Sequence, residues 1–247
     1  MRYFMTNEDF ENTIESFYQV FSLRMKASEE VVNLVKELIM AGKLKPGDRL
    51  PTEVEFSKML NLSRVPIREA MKILSALGLV EIRRGDGTYI SYPFKKQLID
   101  PLLLNLMLTD PKIEDLVELR ELIELGMIDL ILKKAERKDL KKLADVHLEM
   151  KKVVEAKADA YLITIHDLAF HKELGSATNN IMIEKIYEFA MNLFCPYIEK
   201  THQKEEGQLV ALRVHQSILD AILEGNYQKA VEAFKISIYE WRRLVID

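Results

Sequence analysis

Apolar residues recur every three or four positions in three segments of the N-terminal third of the chain. In the first segment, Ser28 precedes an apolar stripe that extends from Glu29 to about Met40, and Gly42 follows it. The apolar members of the stripe are Val31, Val32, Val35, Leu38 and Ile39. Because serine is a common helix start and glycine a common helix end, the pattern predicts an amphipathic helix that packs one face on a core.

A second, shorter helix is predicted after Thr52. The segment Thr52-Glu53-Val54-Glu55 matches a capping box, in which the threonine hydroxyl and the second glutamate each accept a hydrogen bond from a free N–H group at the helix start. The apolar periodicity continues to about Leu60, where we expect this helix to end.

The third segment predicts a longer helix from Arg64 to about Leu77. Ser63 stands at its start as a possible cap, and Gly78 follows its end. Pro66 falls in the first turn, where the N–H group that proline lacks has no partner within the helix.

The period then changes from helical to alternating. Leu79–Arg84 reads as a strand, Gly85-Asp86-Gly87 as a hairpin turn, and Thr88–Ser91 as a returning strand. Two helices, a short turn, a third helix and a hairpin follow the order of a winged helix-turn-helix, which we predict over residues 27–93.

Beyond residue 97 the pattern is helical and no convincing strand is present. Asp110-Pro111 is expected to open a helix, with Asp110 as the cap and Pro111 at the first helical position. Further helices are predicted over residues 137–157, 159–175, 179–203, 208–224 and 226–245. The predicted fold class is therefore mainly α, with an N-terminal winged helix-turn-helix, a small β-hairpin wing and a C-terminal antiparallel all-α helical bundle.

The same pattern divides the chain into four parts. Residues 1–26 are predicted to be an N-terminal helical extension, and residues 94–100 a linker that begins after Pro93. The bundle then occupies residues 101–247. The extension has four aromatic or aliphatic residues at helical spacing: Phe10, Ile14, Phe17 and Phe21.

Composition places the chain among cytoplasmic globular proteins. Its 247 residues suffice for two domains, and 48% of them are hydrophobic. The densest apolar stretch, Pro101–Leu108, is far shorter than the roughly 20 residues that span a bilayer. Acidic residues near the N-terminus do not fit a signal peptide. Cys195 is the single cysteine, so no intrachain disulfide can form, which suits a reducing cytoplasm.

The charge is unevenly distributed along the chain. Residues 26–96 carry 13 lysines and arginines against 9 acidic residues, whereas residues 97–247 carry 20 against 26. A basic segment on an acidic remainder supports a polyanion-binding module attached to a body that does not bind polyanions, although an excess of four charges is modest.

Double-stranded DNA is the polyanion that this arrangement fits. The third helix of such a unit enters the major groove with its N-terminal end, where arginines read guanine or grip phosphate. We assign DNA contact to the start of this helix, to the residues ahead of the second helix and to the wing: Arg49, Thr52, Ser63, Arg64, Val65, Arg68, Arg83, Arg84 and Gly85. The alternative for any one arginine is a solvated surface charge.

The segment from about residue 28 to 92 resembles the DNA-binding domain of the GntR family. The resemblance is carried by Gly47–Glu53, Leu60–Ala70, Leu77-Gly78-Leu79 and Gly85–Thr88. It implies a homodimer on a short palindromic operator. The sequence departs from the family pattern at Val54, where a basic residue is frequent, and at Val65, where threonine is common, so operator sequence and affinity do not transfer.

Residues 100–245 resemble the helical effector (FCD-type) domain of the FadR-like branch of the same family. The matching segments are Glu118–Glu124, Asp167–His171, Thr178-Asn179-Asn180 and His215–Ile222. The resemblance implies a small-molecule effector, most often an organic acid. Nothing in the sequence specifically supports the fatty acyl-CoA ligands that are also known in this branch.

Asp167, His171 and His215 are candidate metal ligands. Asp167 and His171 are one helical turn apart, and a carboxylate with two imidazoles suits a divalent transition metal such as Zn, Ni or Mn. The resemblance places a fourth ligand, a histidine, on the last helix, where this chain has Ser237. The alternative is an ordinary hydrogen-bonded pair without metal.

The other histidines, His147, His166 and His202, have no sequence partners and are interpreted as surface or packing residues.

Three residues are candidate effector contacts: Arg120, Asn180 and Ser237. Arg120 lies on an otherwise apolar helix face and can hold a carboxylate in a fork geometry. The equally weighted alternative is a structural ion pair with a neighbour such as Glu124.

The sequence therefore predicts a transcriptional regulator of the repressor type, rather than an enzyme or a membrane protein. Ligand binding in the bundle is expected to shift the population of dimer arrangements and so the spacing of the recognition helices. The main alternative is a metal-dependent hydrolase that uses Asp167, His171 and His215, although no general base or nucleophile accompanies them. A DNA-binding protein without effector is the third possibility.

Overall fold

A computed structural model describes residues 26–92 and 101–246 of the chain. The chain divides into two compact units, Met1–Asp100 and Pro101–Asp247, which are described separately. The predicted N-terminal helix with Phe10, Ile14, Phe17 and Phe21, and the predicted linker over residues 94–100, lie outside the described residues.

Three helices and a two-stranded hairpin make up the described part of the N-terminal unit. Helix α1 is Ala27–Met40, α2 is Glu53–Met59 and α3 is Arg64–Ala76. Strands β1 (Val80–Arg83) and β2 (Gly87–Ile90) pair antiparallel. The predicted winged helix-turn-helix is confirmed.

The core of this unit lies where α1 packs against α3 and where α2 and β1 also meet α3. Every helix and strand contributes buried side chains to it, and the largest fully buried ones are Leu38, Leu50, Phe56, Ile67 and Leu74. Burying an aliphatic or aromatic side chain stabilises a fold by about 1.5–3 kcal/mol, so this small core is sufficient to hold the outer face of α3 in a defined position.

The helix starts follow the predicted chemistry in part. At α2 the capping box is present: the Thr52 hydroxyl accepts from Glu55 N–H at 3.3 Å, and Thr52 N–H donates to the Glu55 carboxylate at 2.7 Å. The cap predicted at Ser28 is wrong, because α1 begins at Ala27 rather than at the predicted Glu29, and Ser28 is buried inside its first turn. Ser63 occupies the N-cap position of α3, but its side chain makes no capping hydrogen bond.

The described part of the C-terminal unit consists of helices. In chain order these are α4 (Pro101–Leu108), α5 (Ile113–Lys134), α6 (Arg137–Glu155), α7 (Ala160–Ala177), α8 (Ile181–His202), α9 (Glu205–Leu223) and α10 (Tyr227–Ile246). Helix α7 packs between α6 and α8, and α10 packs against α5 and α9. No helix among the described residues has both the length and the apolar character that crossing a membrane requires.

One predicted helix start in this unit is wrong. Asp110 has a positive φ of 50° and lies outside the helix, which begins at Ile113. The Lys112 N–H donates to the Asp115 carboxylate at 3.0 Å, so a carboxylate inside the first turn takes over the capping role. The short helix α4 was not predicted.

The bundle core is continuous and mostly apolar. Its largest fully buried side chains are Tyr187, Phe170, Phe194, Phe234, Met127 and Ile128. Polar and charged side chains are nevertheless buried among them, and most of these converge on one small cavity. This cavity, about 30 Å³ in volume, lies where α5, α7, α8, α9 and α10 meet.

Candidate DNA interface and buried metal-ligating centre

Helix α3 presents its first turn outward. Ile67, Ala70, Met71 and Leu74 are buried on its inner face. Arg64 and Arg68 lie on the outer face with more than half of each side chain exposed (58% and 57%). Val65 is also exposed. The predicted recognition surface is therefore accessible to the major groove of DNA, because only the opposite face of α3 packs on the core.

Glu53 of helix α2 holds the guanidinium group of Arg68. Both the Nε and Nη2 atoms of Arg68 donate to the Glu53 carboxylate, at 3.1 and 2.9 Å, in a fork geometry. Arg64 Nη2 lies 3.8 Å from the same carboxylate. The hydrogen bond from Arg68 is the main cause that lowers the pKa of Glu53 below its ordinary value. An acidic residue thus orients Arg68, and its charge also lies near Arg64.

The wing contains the remaining predicted contacts. The Arg83 guanidinium lies 4.3 Å from the centre of the Tyr89 ring, and Arg84 and Gly85 are exposed at the turn. Gly85 has a φ of +76°, which favours glycine there. Arg49 Nη2 donates to the Asp86 carbonyl at 2.7 Å, so Arg49 stabilises the wing turn through this hydrogen bond.

In the C-terminal unit, Asp167, His171 and His215 come together at the cavity. All three are buried, and one ligand atom from each lies within 4.8 Å of the others. The Asp167 carboxylate oxygens lie 3.7 Å from His171 Nε2 and 3.5 Å from His215 Nε2. Helix α7 provides the first pair at one-turn spacing, and α9 provides His215. The structure thus brings together the three predicted ligands.

A chain of hydrogen bonds fixes the orientation of His171. Tyr187 donates its hydroxyl proton to Glu124 at 2.7 Å, and the same hydroxyl oxygen lies 2.7 Å from His171 Nδ1. Because that proton is already used, the oxygen accepts from His171 Nδ1–H. The Nε2 atom of His171 therefore carries a lone pair, and Arg120 Nη2 lies 3.4 Å from it. Metal-ligating histidines are usually oriented by such a bond on the far ring nitrogen.

Burial sets the protonation states of the cluster. Burial raises the pKa of Asp167 to about 7, with Arg120 acting to lower it and Glu124 to raise it. Burial also lowers the pKa of His171 and of His215 well below the ordinary value. Both imidazoles are therefore neutral at pH 7, which is the state that binds metal.

Arg120 forms a buried ion pair with Glu124, one turn away on α5, at 3.0 Å. Its Nη2 atom also reaches His171 Nε2 at 3.4 Å, and its guanidinium lies 5.1 Å from the centre of the Trp241 ring. The structural ion pair is present, and Arg120 lines the cavity at the same time. The two interpretations of Arg120 are therefore compatible.

Of the other two predicted effector contacts, one lines the cavity and the other does not. Ser237 of α10 is buried and lines the cavity. Asn180 instead caps α8, where its side-chain oxygen accepts from Met182 N–H at 3.1 Å. Among the described residues that line the cavity, Asn180 does not appear.

His202 is a functional candidate that sequence reasoning missed. It was expected to lack partners, and this expectation is wrong. His202 is buried at the end of α8, lines the same cavity, and has its Nε2 atom 3.7 Å from an Asp167 oxygen. It lies 35 positions from Asp167 on another helix, so no local spacing signals the contact. His147 does behave as a packing residue, edge-on to Phe170.

Two family models match the chain. Residues 27–90 match the model described as bacterial regulatory proteins, gntR family, and residues 115–238 match the FCD domain. The first match covers the winged unit and the second contains the whole buried cluster.

Individual proteins agree with these matches. The HTH-type transcriptional regulator LutR of Bacillus subtilis is 30% identical over 79% of this chain and 90% of its own length. The Uxu operon regulator of Haemophilus influenzae is 27% identical, covering 87% of this chain and 86% of its own. The solved structure of a Streptococcus agalactiae GntR protein covers 87% of this chain and 99% of its own, with 28% identity and a TM-score of 0.65.

Proposed function

Because this chain belongs to the GntR family and is a transcriptional regulator with an FCD domain, we propose that a divalent metal and a small carboxylate in its buried cavity control its affinity for operator DNA. The observation that carries this proposal is the convergence of Asp167, His171 and His215 on one cavity. The hydrolase interpretation finds no support in the family or in the named relatives.

The donor set fits a divalent transition metal such as Zn, Ni or Mn. One carboxylate and two neutral imidazoles are typical ligands for these ions. The distances from Asp167 to the imidazole nitrogens of His171 and His215 that face it, 3.7 and 3.5 Å, exceed a normal hydrogen bond. The cluster is therefore poorly satisfied by itself. A bound cation would supply positive charge and an attachment point for a carboxylate oxygen.

The effector would occupy the same cavity beside Arg120 and Ser237. The guanidinium of Arg120 and the Ser237 hydroxyl are the donors available to a small anion there. With about 30 Å³ of space, the cavity must widen to admit an organic acid. Such widening is a physical route by which a ligand favours one arrangement of the helices over another.

On the DNA side, we assign base and phosphate contact to a homodimer. Arg64, Val65 and Arg68 would read the major groove, and Ser63 would bind a phosphate. Arg83, Arg84 and Gly85 of the wing, with Arg49 and Thr52 behind them, would contact the backbone or the minor groove. In such a dimer, the spacing of the two recognition helices must match about one turn of DNA, roughly 34–36 Å, so a small ligand-driven change alters affinity. The protein would act in the cytoplasm, where the chromosome lies.

The proposal is tested with the full-length protein and a duplex that the protein itself selects from a random pool. Metal content is measured on the purified protein, and operator affinity by fluorescence anisotropy with and without EDTA, alone and with acetate, succinate or citrate. We expect about one metal per chain and a change of about 5- to 150-fold in operator affinity with at least one acid. The H171A/H215A double variant should lose both effects, whereas the control H166A, on the same helix, should keep them. The proposal would be overturned if operator affinity were the same with and without EDTA and with and without each of the acids.

A further inference from the structure

His202 occupies the side of the cavity that faces Asp167 from helix α8. Only 1% of its surface is exposed, and its Nε2 atom lies 3.7 Å from Asp167 Oδ1. Its backbone position is also held, since the Gln208 side chain donates to the His202 carbonyl at 2.7 Å. A buried histidine on a fixed backbone, next to a buried carboxylate, requires an explanation that packing alone does not supply.

The hydrogen bonds of Thr164 determine which ring nitrogen faces the cavity. The Thr164 hydroxyl donates to the Ala160 carbonyl at 2.8 Å, and its oxygen lies 3.1 Å from His202 Nδ1. Because the single hydroxyl proton is already used, the oxygen accepts from His202 Nδ1–H. His202 Nε2 therefore carries a lone pair directed at Asp167. The same logic applies to His171, whose Nδ1–H is taken by Tyr187.

Three imidazoles thus surround one carboxylate, and the Arg120 guanidinium lies 3.4 Å from one of them, at His171 Nε2. Asp167 Oδ2 lies 3.7 Å from His171 Nε2, and Asp167 Oδ1 lies 3.7 Å from His202 Nε2 and 3.5 Å from His215 Nε2. These separations are too long for direct hydrogen bonds, which are about 2.7–3.2 Å. They are close to the distance of about 3.3–3.5 Å between neighbouring ligands of a tetrahedral ion with bonds of about 2.0–2.2 Å. Asp167, His171 and His215 have ligand atoms within 4.8 Å of one another, and His202 lies outside that set, so its ring would have to move toward His171 and His215 to complete the site.

We propose that His202 is the fourth protein ligand of the metal, and that it takes the place left by the serine at position 237. This inference rests on the metal site proposed above and adds a ligand from α8 to those from α7 and α9. The ion then joins three helices rather than two. Ser237 lines the same cavity, and its hydroxyl is left for an anion.

Cobalt(II) is the probe, because its visible absorption is strong in four-coordinate sites and weak in six-coordinate ones. Full-length protein is stripped with a chelator and titrated with Co²⁺, and the affinity is also measured with Zn²⁺ by calorimetry. For H202Q, we expect Co²⁺ affinity at least tenfold lower than wild type and a marked loss of visible intensity. The control H166Q, on α7, should behave as wild type. A second double variant, H202A/S237H, should regain affinity relative to H202A, and circular dichroism shows whether each variant remains helical.

The outcomes separate the two proposals. Wild-type affinity and spectrum in H202Q, together with loss of binding in H171Q, would overturn the role of His202 and leave the metal site intact. No binding of Co²⁺ or Zn²⁺ to the wild-type protein would overturn the metal site itself, and the fourth ligand with it. Weakened binding in H202Q with an intact helical signal would support both.

Discussion

Glu53 on helix α2 holds Arg68 on helix α3 through two hydrogen bonds to one guanidinium group, at 3.1 and 2.9 Å. An acidic residue beside a DNA-reading surface repels phosphate, so its presence there needs a compensating role. Because a forked pair has one favoured geometry, the carboxylate limits the directions in which Arg68 can point. This relationship suggests that Glu53 contributes to specificity at the expense of some affinity.

The variant E53Q tests that role. Removing the charge should raise affinity for unrelated DNA, and releasing Arg68 should lower the ratio of operator to unrelated affinity by about tenfold, since a good bidentate base contact discriminates by about 1–3 kcal/mol. Anisotropy titrations with a selected operator and a scrambled duplex at several salt concentrations measure both. E69Q is the matched control, because Glu69 is an exposed acidic residue on α3, next to Arg68. An unchanged ratio in E53Q would contradict the specificity role.

Replacing both outward arginines tests the recognition helix itself. Neither side chain supports the core, so R64A/R68A should keep wild-type thermal stability while operator affinity falls by about 10²-fold or more. The comparison variant is R242A, which removes an exposed arginine paired with Glu114 in the other unit. If the double variant bound the operator as tightly as the wild type, the winged unit would not read DNA through α3.

Tyr187→Phe tests the hydrogen-bond chain behind His171. The change deletes the hydroxyl that bridges His171 and Glu124, and it leaves buried polar atoms without partners. We expect the free energy of unfolding of the metal-free protein, measured by urea denaturation, to fall by about 1–3 kcal/mol. Metal affinity should fall about 10- to 100-fold, because His171 loses the bond that orients it.

The exposed tyrosine at position 161 provides the control for that experiment. Y161F removes a hydroxyl from a side chain that is largely in solvent, so neither stability nor metal affinity should change. Equal metal affinity in Y187F and wild type would show that the Glu124–Tyr187–His171 chain does not support a metal site.

The raised pKa of Asp167 predicts how metal binding depends on pH. Below a pKa of about 7 the carboxyl group of the metal-free protein is protonated, and the proton must leave before a cation binds. The affinity should therefore fall by about tenfold for each pH unit below 7 and level off above it. His171 and His215 stay neutral through this range, because burial lowers their pKa values.

Calorimetric titration with Zn²⁺ between pH 6 and pH 8 measures this dependence on chelator-treated protein. D167N should bind weakly and lose the pH dependence, because an amide has no proton to release in this range. A wild-type affinity that stays constant from pH 6 to pH 8 would contradict proton release from Asp167 on metal binding in this range, and unchanged affinity in D167N would show that Asp167 is not a ligand.

Some features of this protein follow from short stretches of its sequence. The capping box at Thr52, the glycine at the wing turn and the amphipathic stripes of the helices all depend on residues within about four positions of each other. Backbone hydrogen bonding and helical periodicity act over that range, so the pattern predicts them. The one-turn spacing of Asp167 and His171 is local in the same way. At Asp110 and Ser28 a local capping signal was present, but the helices begin at Ile113 and Ala27, so the prediction was wrong.

The composition of the buried centre depends on tertiary structure. His202 and Asp167 belong to different helices, and only the packing of α7 against α8 places their atoms 3.7 Å apart. Likewise, the sequence favoured equally an ion pair of Arg120 with Glu124 and a contact of Arg120 with an effector. The structure shows that Arg120 forms the buried ion pair and also lines the cavity. Asn180, which was also predicted to contact an effector, instead caps helix α8. Sequence spacing determines which side chains share one helix face, but the distances between helices are set by how the whole core packs.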